Sequence, residues 1–329
     1  MRYWIILTTM KREIFLGIDT SNYTTSIAAI NKYGHRLFDI RIPLEVKKGK
    51  RGLRQQEAVF QHIKNLGEIA GKIESFYGNI SAVASSVSPR NVEGSYMPVF
   101  EVSKNTGMLI ASICGADFVE TSHQRGHVRA ALYSNNLISS QFIGIHISGG
   151  TTEFIEYEWN RYFIKEKIVG QTLDISLGQV IDRIGVEMDF LFPAGSMMEK
   201  YLDKIESTGF EKEFKYKANY NSRGINLSGL ETYLSELYKN TGNKALVIYT
   251  AFENASRLLA EASRDICHKQ SIPDVLFCGG VASNKYIQNS LRNKLVEYGI
   301  NTYFCAPNDC TDNAFGVALI AKDHFEERI

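Results

Sequence analysis

The sequence predicts an α/β fold built from two related lobes, and three observations carry that expectation. The stretch Phe15-Leu-Gly-Ile-Asp-Thr-Ser-Asn-Tyr-Thr-Thr25 recurs without a gap as Phe142-Ile-Gly-Ile-His-Ile-Ser-Gly-Gly-Thr-Thr152. Short apolar runs alternate along the chain with segments of helical periodicity. At 329 residues the chain exceeds one average domain and suits two of ordinary size.

Taken in order, the first copy of the repeat predicts strands at 13–18 and 25–30, joined by a turn of small hydroxyl and amide residues. Residues 1–9 precede the repeat and read as an N-terminal extension, too short for a signal peptide's apolar region or a membrane span. From Glu57 to Phe76, Val59, Phe60, Ile63, Leu66, Ile69, Ala70 and Ile73 keep the i, i+3, i+4 rule, which predicts a helix. A strand follows at 82–87. The polar loop Ser134 to Ser140 marks the lobe boundary. The second copy predicts strands at 142–147 and 153–158. Residues 206–226 lack a clear period and read as a long excursion. Val247 to Cys267 is the clearest helix, strands follow at 274–278 and 302–305, and a last helix starts near Asp312.

An apolar share of 44%, a charged share of 22% and a net charge of +1 describe an ordinary globular protein. They exclude a global electrostatic attraction to nucleic acid or membrane, so any nucleic-acid contact must be local. The one basic cluster is Lys47, Lys48, Lys50, Arg51 and Arg54, which reads either as a solvated loop or as a dock for a phosphodiester backbone. Five scattered cysteines without CxxC spacing fit reduced thiols in the cytoplasm.

Four features carry chemistry. The two repeated turns, with a third at Cys278-Gly-Gly-Val-Ala-Ser-Asn284, offer N–H groups and hydroxyls to phosphate oxygens. His123-Gln-Arg-Gly-His127 puts two imidazoles on one helical face, where both reach one metal ion or pack together under Thr121-Ser122. Gln124 stands where an HExxH peptidase needs its general base. Asp312 is the best third ligand, with simple N-capping of the last helix as the alternative. Asp174, Gly178 and Asp182 recur at helical spacing. Asp182 suits ribose hydroxyls or a salt bridge to Arg183 or Lys200, and Phe192-Pro-Ala-Gly-Ser196 puts Gly195 near a helix N-terminus suited to anions.

Together, from residue 13 to about 322, these motifs resemble the glycoprotease-like family of tRNA threonylcarbamoyladenosine synthases, within the duplicated, ribonuclease H-like actin/sugar-kinase/heat-shock-ATPase (ASKHA) fold. That family pairs HxxxH with a distant Thr-Asp-Asn-Ala, and Cys310-Thr-Asp-Asn-Ala314 is intact here. The resemblance implies lobes at 10–139 (with the C-terminal helix 312–329) and 140–311. It implies one divalent ion, iron or zinc, on His123, His127 and Asp312. The turn Ile147, Ser148, Gly149, Gly150 and Thr151 looks like the family's phosphate-side loop. Asp182 and Gly195 match its ribose region and Asn284 its adenosine turn.

The implied activity is an acyltransferase reaction in the cytoplasm. A threonylcarbamoyl group would move from threonylcarbamoyl-AMP, held between the lobes, to N6 of a tRNA adenosine beside the anticodon. The implied partners are tRNA, a smaller one-lobed relative and a P-loop ATPase, with no membrane. The chain departs from the pattern at Tyr23 and Thr24, which replace an acidic pair, at Thr151 in place of a histidine, and at Glu231 in place of a lysine. Those changes suggest a divergent paralogue. It would use another carbamoyl- or acyl-adenylate and acceptor, or serve as a nucleotide-binding scaffold without turnover.

Overall fold

The computed structural model describes residues 14–21, 23–47, 52–74, 79–135, 139–160, 164–205, 210, 220–221 and 224–328. The extension at 1–9, Lys48, Lys50 and Arg51 of the basic cluster, and most of the 206–226 excursion lie outside these residues. The chain divides into two compact units. Among the described residues the first takes 14–45, 53–130 and 312–328, and the second takes 131–311 with residues 46, 47 and 52. The division falls after Ala130, ahead of the polar loop at 134–140.

The first unit holds a five-stranded sheet in the order β3-β2-β1-β4-β5. Its strands are β1 (Ile14–Asp19), β2 (Thr24–Asn31), β3 (Arg36–Pro43), β4 (Ile80–Ser88) and β5 (Asp117–Ser122). β1, β2 and β3 pair antiparallel, whereas β4 and β5 continue parallel to β1. Alternation along β1 sends Phe15 to one face, where Phe315, Val317 and Leu319 of the last helix pack. Leu16 and Ile18 go to the other face, among Ile69 of α1 (Gln55–Glu74) and Ala111 of α2 (Phe100–Cys114). A sheet covered on both faces needs apolar residues at consecutive positions, which is why β1 reads as a continuous apolar run. α3 (His123–Asn135) follows β5 directly.

The second unit repeats this order as β12-β11-β6-β7-β8. Here β6 (Gln141–Ile147), β7 (Thr152–Trp159) and β8 (Ile164–Gln171) pair antiparallel, and β11 (Asp274–Cys278) and β12 (Asn301–Phe304) run parallel to β6. The repeat in sequence is therefore a repeat in topology: β1–β2 and β6–β7 occupy matching places. Ile143, Ile145 and Ile147 bury one face against α4 (Leu177–Glu187) and α7 (Lys244–Gln270). α5 (Gly195–Leu202), α6 (Ser228–Thr241) and α8 (Lys285–Val296) surround α7, and β9 (Tyr220–Asn221) and β10 (Gly224–Ile225) form a two-stranded ribbon that bridges to Thr172 just past β8.

α9 (Pro307–Cys310) leads to α10 (Phe315–Glu327), which starts later than the sequence suggested. Asn313 Oδ1, not Asp312, accepts from the first turn at the Gly316 N–H, 3.2 Å away. All five cysteines are free thiols. Among the described residues no helix is long and apolar enough to cross a membrane.

Candidate functional site

In the first unit the parallel strands β1, β4 and β5 end at one sheet edge, the usual place for ligands in open α/β sheets. β1 ends at the buried Asp19 and β5 delivers His123 as the first residue of α3. His127 lies one turn further on the same face, its Nε2 3.0 Å from His123 Nε2. The Asp312 carboxylate, in the turn before α10, approaches the two Nε2 atoms at 3.5 and 3.7 Å. Asp312 is therefore free of the capping role and faces the histidines.

These three donors fit one divalent ion. Ligands bound at about 2.0–2.1 Å are separated from one another by roughly 3.0–3.5 Å, close to the spacing seen. Two imidazole nitrogens facing each other at hydrogen-bond distance also need either one shared proton or a cation between them. The sequence did not point to Asp19 as a partner of this cluster. Its Oδ1 sits 3.0 Å from His123 Nδ1 and fixes the ring so that Nε2 faces the centre, the usual outer-shell arrangement of a metal-bound histidine. Asp19 Oδ2 accepts from the Ser21 hydroxyl at 2.6 Å.

Without an ion, protons do the balancing. Burial disfavours a charged His123, but the Asp19 and Asp312 carboxylates outweigh it and push the ring up to about 10. Burial and then the His123 charge hold His127 low. Burial would raise Asp312, yet hydrogen bonds from the two imidazoles keep it well below the usual carboxylate range. Behind the turn, buried His62 meets Thr25 Oγ1 at 2.9 Å, and burial lowers it to about 4, so this imidazole is neutral.

In the first turn the Thr20 and Ser21 hydroxyls are taken up within the protein. Thr20 Oγ1 donates to the Val99 carbonyl and accepts from the Ser103 N–H, and Ser21 serves Asp19. Helix α2 takes these groups up, and no local pattern announces a contact across 80 residues.

In the second unit the remaining candidates converge. Gly178, in the first turn of α4, lies flat against the Ser148–Thr151 turn, where a Cβ would strike the Ser148 carbonyl and come within 2.8 Å of Gly149 Cα. Gly279, with φ of 93°, brings the third glycine turn against Ile147 in the same way. Asp182 Oδ1 accepts from the Ala194 N–H at 2.8 Å, just ahead of Gly195, so it ties α4 to the start of α5. It does not pair with Arg183, which bonds Glu231 at 3.0 Å. Burial pushes Asp182 up to about 6, against the opposing N–H groups of Ala194 and Gly195.

Asn284 Oδ1 caps α8 by accepting from the Ile287 N–H at 3.0 Å. Asp174 is not on the helix. It precedes the Ser176 cap and accepts from the N–H groups of Leu227 and Ser228.

Two five-stranded sheets of one topology, one ending in a His/His/Asp centre and the other in glycine turns, define an actin-like (ASKHA) two-lobed protein. HypF from T. kodakarensis matches 97% of the chain at a TM-score of 0.62 and 14% identity, the match spanning 48% of the HypF chain. The activator of 2-hydroxyisocaproyl-CoA dehydratase from Clostridium difficile, with bound ADPNP, matches 96% of each chain at 0.53 and 12%. At these identities the likeness establishes the fold alone.

The family model for TsaD, tRNA N6-adenosine threonylcarbamoyltransferase, matches residues 56–319, and the chain belongs to that family. The protein of that name from Picosynechococcus sp. is 24% identical over 96% of this chain and 90% of its own length. The one from Neorickettsia sennetsu is 26% identical over 96% and 95%. Identity this low fits a divergent member.

Proposed function

We propose that the chain is a metal-dependent transferase of the cytoplasm that moves a threonylcarbamoyl group from threonylcarbamoyl-AMP to N6 of a tRNA adenosine beside the anticodon. The observation that carries this reading is the His123/His127/Asp312 cluster, with Asp19 behind it, in a member of a tRNA-modifying family. These three residues would hold the ion, iron or zinc by chemical fit. When bound, the ion supplies Lewis-acid stabilisation to negative oxygens of the donor.

The protein's own groups do the rest. Asp182, whose Oδ1 accepts from the Ala194 N–H, suits the ribose hydroxyls as a hydrogen-bond acceptor. Asn284 offers its amide to the adenine, and Gly178 lets backbone approach backbone under the Ser148–Thr151 turn. Positioning and charge stabilisation carry most of the rate in such transfers.

A second reading is favoured by Tyr23 and Thr24, which put no charge where the family usually has two carboxylates: a related adenylate donor with a different acceptor. One experiment separates the two. Purified protein is mixed with threonylcarbamoyl-AMP and either tRNA or a panel of small amines, and products are identified by mass spectrometry. The first reading expects modified adenosine in tRNA. Transfer to small amines with none to tRNA would replace it by the second.

A further inference from the structure

A chain of side chains in the second unit ends at a buried imidazole. His146, next to last in β6, is 4% exposed, and its Nδ1 lies 2.8 Å from Thr151 Oγ1. Thr151 Oγ1 lies 3.2 Å from Ser148 Oγ. Counting lone pairs fixes the Ser148 end of this chain. Ser148 Oγ accepts from the N–H groups of Gly150 and Thr151, at 3.2 and 3.1 Å, which fills both its lone pairs. Its own hydrogen then points to Thr151 Oγ1, 3.2 Å away. When Thr151 in turn gives its hydrogen to His146 Nδ1, the ring proton is on Nε2.

Two residues flank His146 in the sheet. Glu153 of β7 stands directly opposite His146 in the antiparallel ladder, on the same sheet face, and is 2% exposed. On the other side of β6, Cys278 stands opposite, its thiol kept protonated by burial. Two N–H groups of the turn, those of Gly150 and Thr151, are turned inward onto Ser148. Thr151 is partly exposed and keeps one lone pair after accepting from Ser148.

We propose that Thr151 accepts the proton of the attacking nucleophile and relays it to His146, with Glu153 as the carboxylate on the same face. Thr151 is then the catalytic residue, and His146 and Glu153 are positioning residues behind it. The proposal rests on the transferase reading above. In the step, the nucleophile's nitrogen forms a bond to the carbamoyl carbon while its N–H proton passes to Thr151 Oγ1. The Thr151 hydroxyl proton passes to His146 Nδ1, and the carbamoyl carbon–oxygen bond breaks with its electron pair leaving on the AMP phosphate. The imidazolium later returns its proton to solvent by the same path.

Two measurements on the full chain test this. Long-range nitrogen–proton NMR of imidazole-labelled protein, with His146 assigned by loss of its signals in His146→Gln, is expected to show the neutral Nε2–H tautomer. It should also show a changed Nδ1 shift in Thr151→Val. An Nδ1–H tautomer overturns the relay.

Single-turnover transfer from threonylcarbamoyl-AMP to a tRNA transcript across pH 5 to 9 gives the second readout. Thr151→Val is expected to slow turnover about 100-fold or more, with Thr151→Ser restoring most of the loss. His146→Gln is expected to lose the acid limb of the rate profile while the half-saturating adenylate concentration stays within about twofold. An unchanged acid limb in His146→Gln overturns the proposal. A wild-type chain that transfers nothing to tRNA instead overturns the transferase reading, and the tautomer then decides the relay by itself.

Discussion

Asp182→Asn should make the protein more stable and a worse nucleotide binder, and pH should reveal why. The Asp182 carboxyl is raised from 3.8 to about 6, mainly by burial beside α5. Folding therefore favours its protonated form. That contribution is fully present below pH 3.8 and disappears as pH rises through about 6. A shift of two units corresponds to about 3 kcal/mol of lost stability by pH 7–8. Asparagine keeps an oxygen for the Ala194 N–H and carries no charge, so the variant escapes this loss.

The assay is thermal unfolding of both proteins from pH 4 to 8, read as the difference between them so that other titrating groups cancel. At about 2–4 °C per kcal/mol for a unit of this size, the variant should melt roughly 6–12 °C above wild type at pH 8. The two should converge near pH 4. A difference that stays flat with pH, or a variant that melts lower at pH 8, would refute the argument from burial. The same variant should bind an adenylate analogue more weakly, because a carboxylate accepts from two ribose hydroxyls and an amide oxygen accepts less strongly.

Three further outcomes are expected. Asp19→Asn should leave the fold intact but weaken metal binding about 10–100-fold in a competition titration with a chromogenic chelator, because His123 loses the carboxylate that orients it. Gly178→Ala should cost about 1–3 kcal/mol in chemical unfolding and abolish adenylate binding by calorimetry, since its Cβ meets the Ser148 backbone with no side chain to yield. Added Fe2+ or Zn2+ at 100 times its dissociation constant should stabilise wild type by about 2.7 kcal/mol, and Asp312→Ala should show no such gain.

The frame of the fold was readable because it rests on local patterns. The repeated turn announced β1–β2 and β6–β7, and the periodicity of residues 57–76 and 247–267 announced α1 and α7. β3 and β5 gave no comparable signal: they are edge strands, β3 having only half-buried or exposed positions. The histidine pair was legible from its spacing, and the family motif pointed to Asp312. The polar groups around them were not, because Asp19 meets His123 across 104 residues and Thr20 meets Ser103 across 83. Register, invisible in the sequence, likewise sets His146 opposite Glu153.

The most direct test of the central claim is elemental analysis of protein purified without chelator, for wild type, His127→Ala and Asp312→Ala. One iron or zinc per wild-type chain and none in either variant is the expected result. Full metal content in both variants, with the fold intact, would contradict the assignment of the ion to His123, His127 and Asp312.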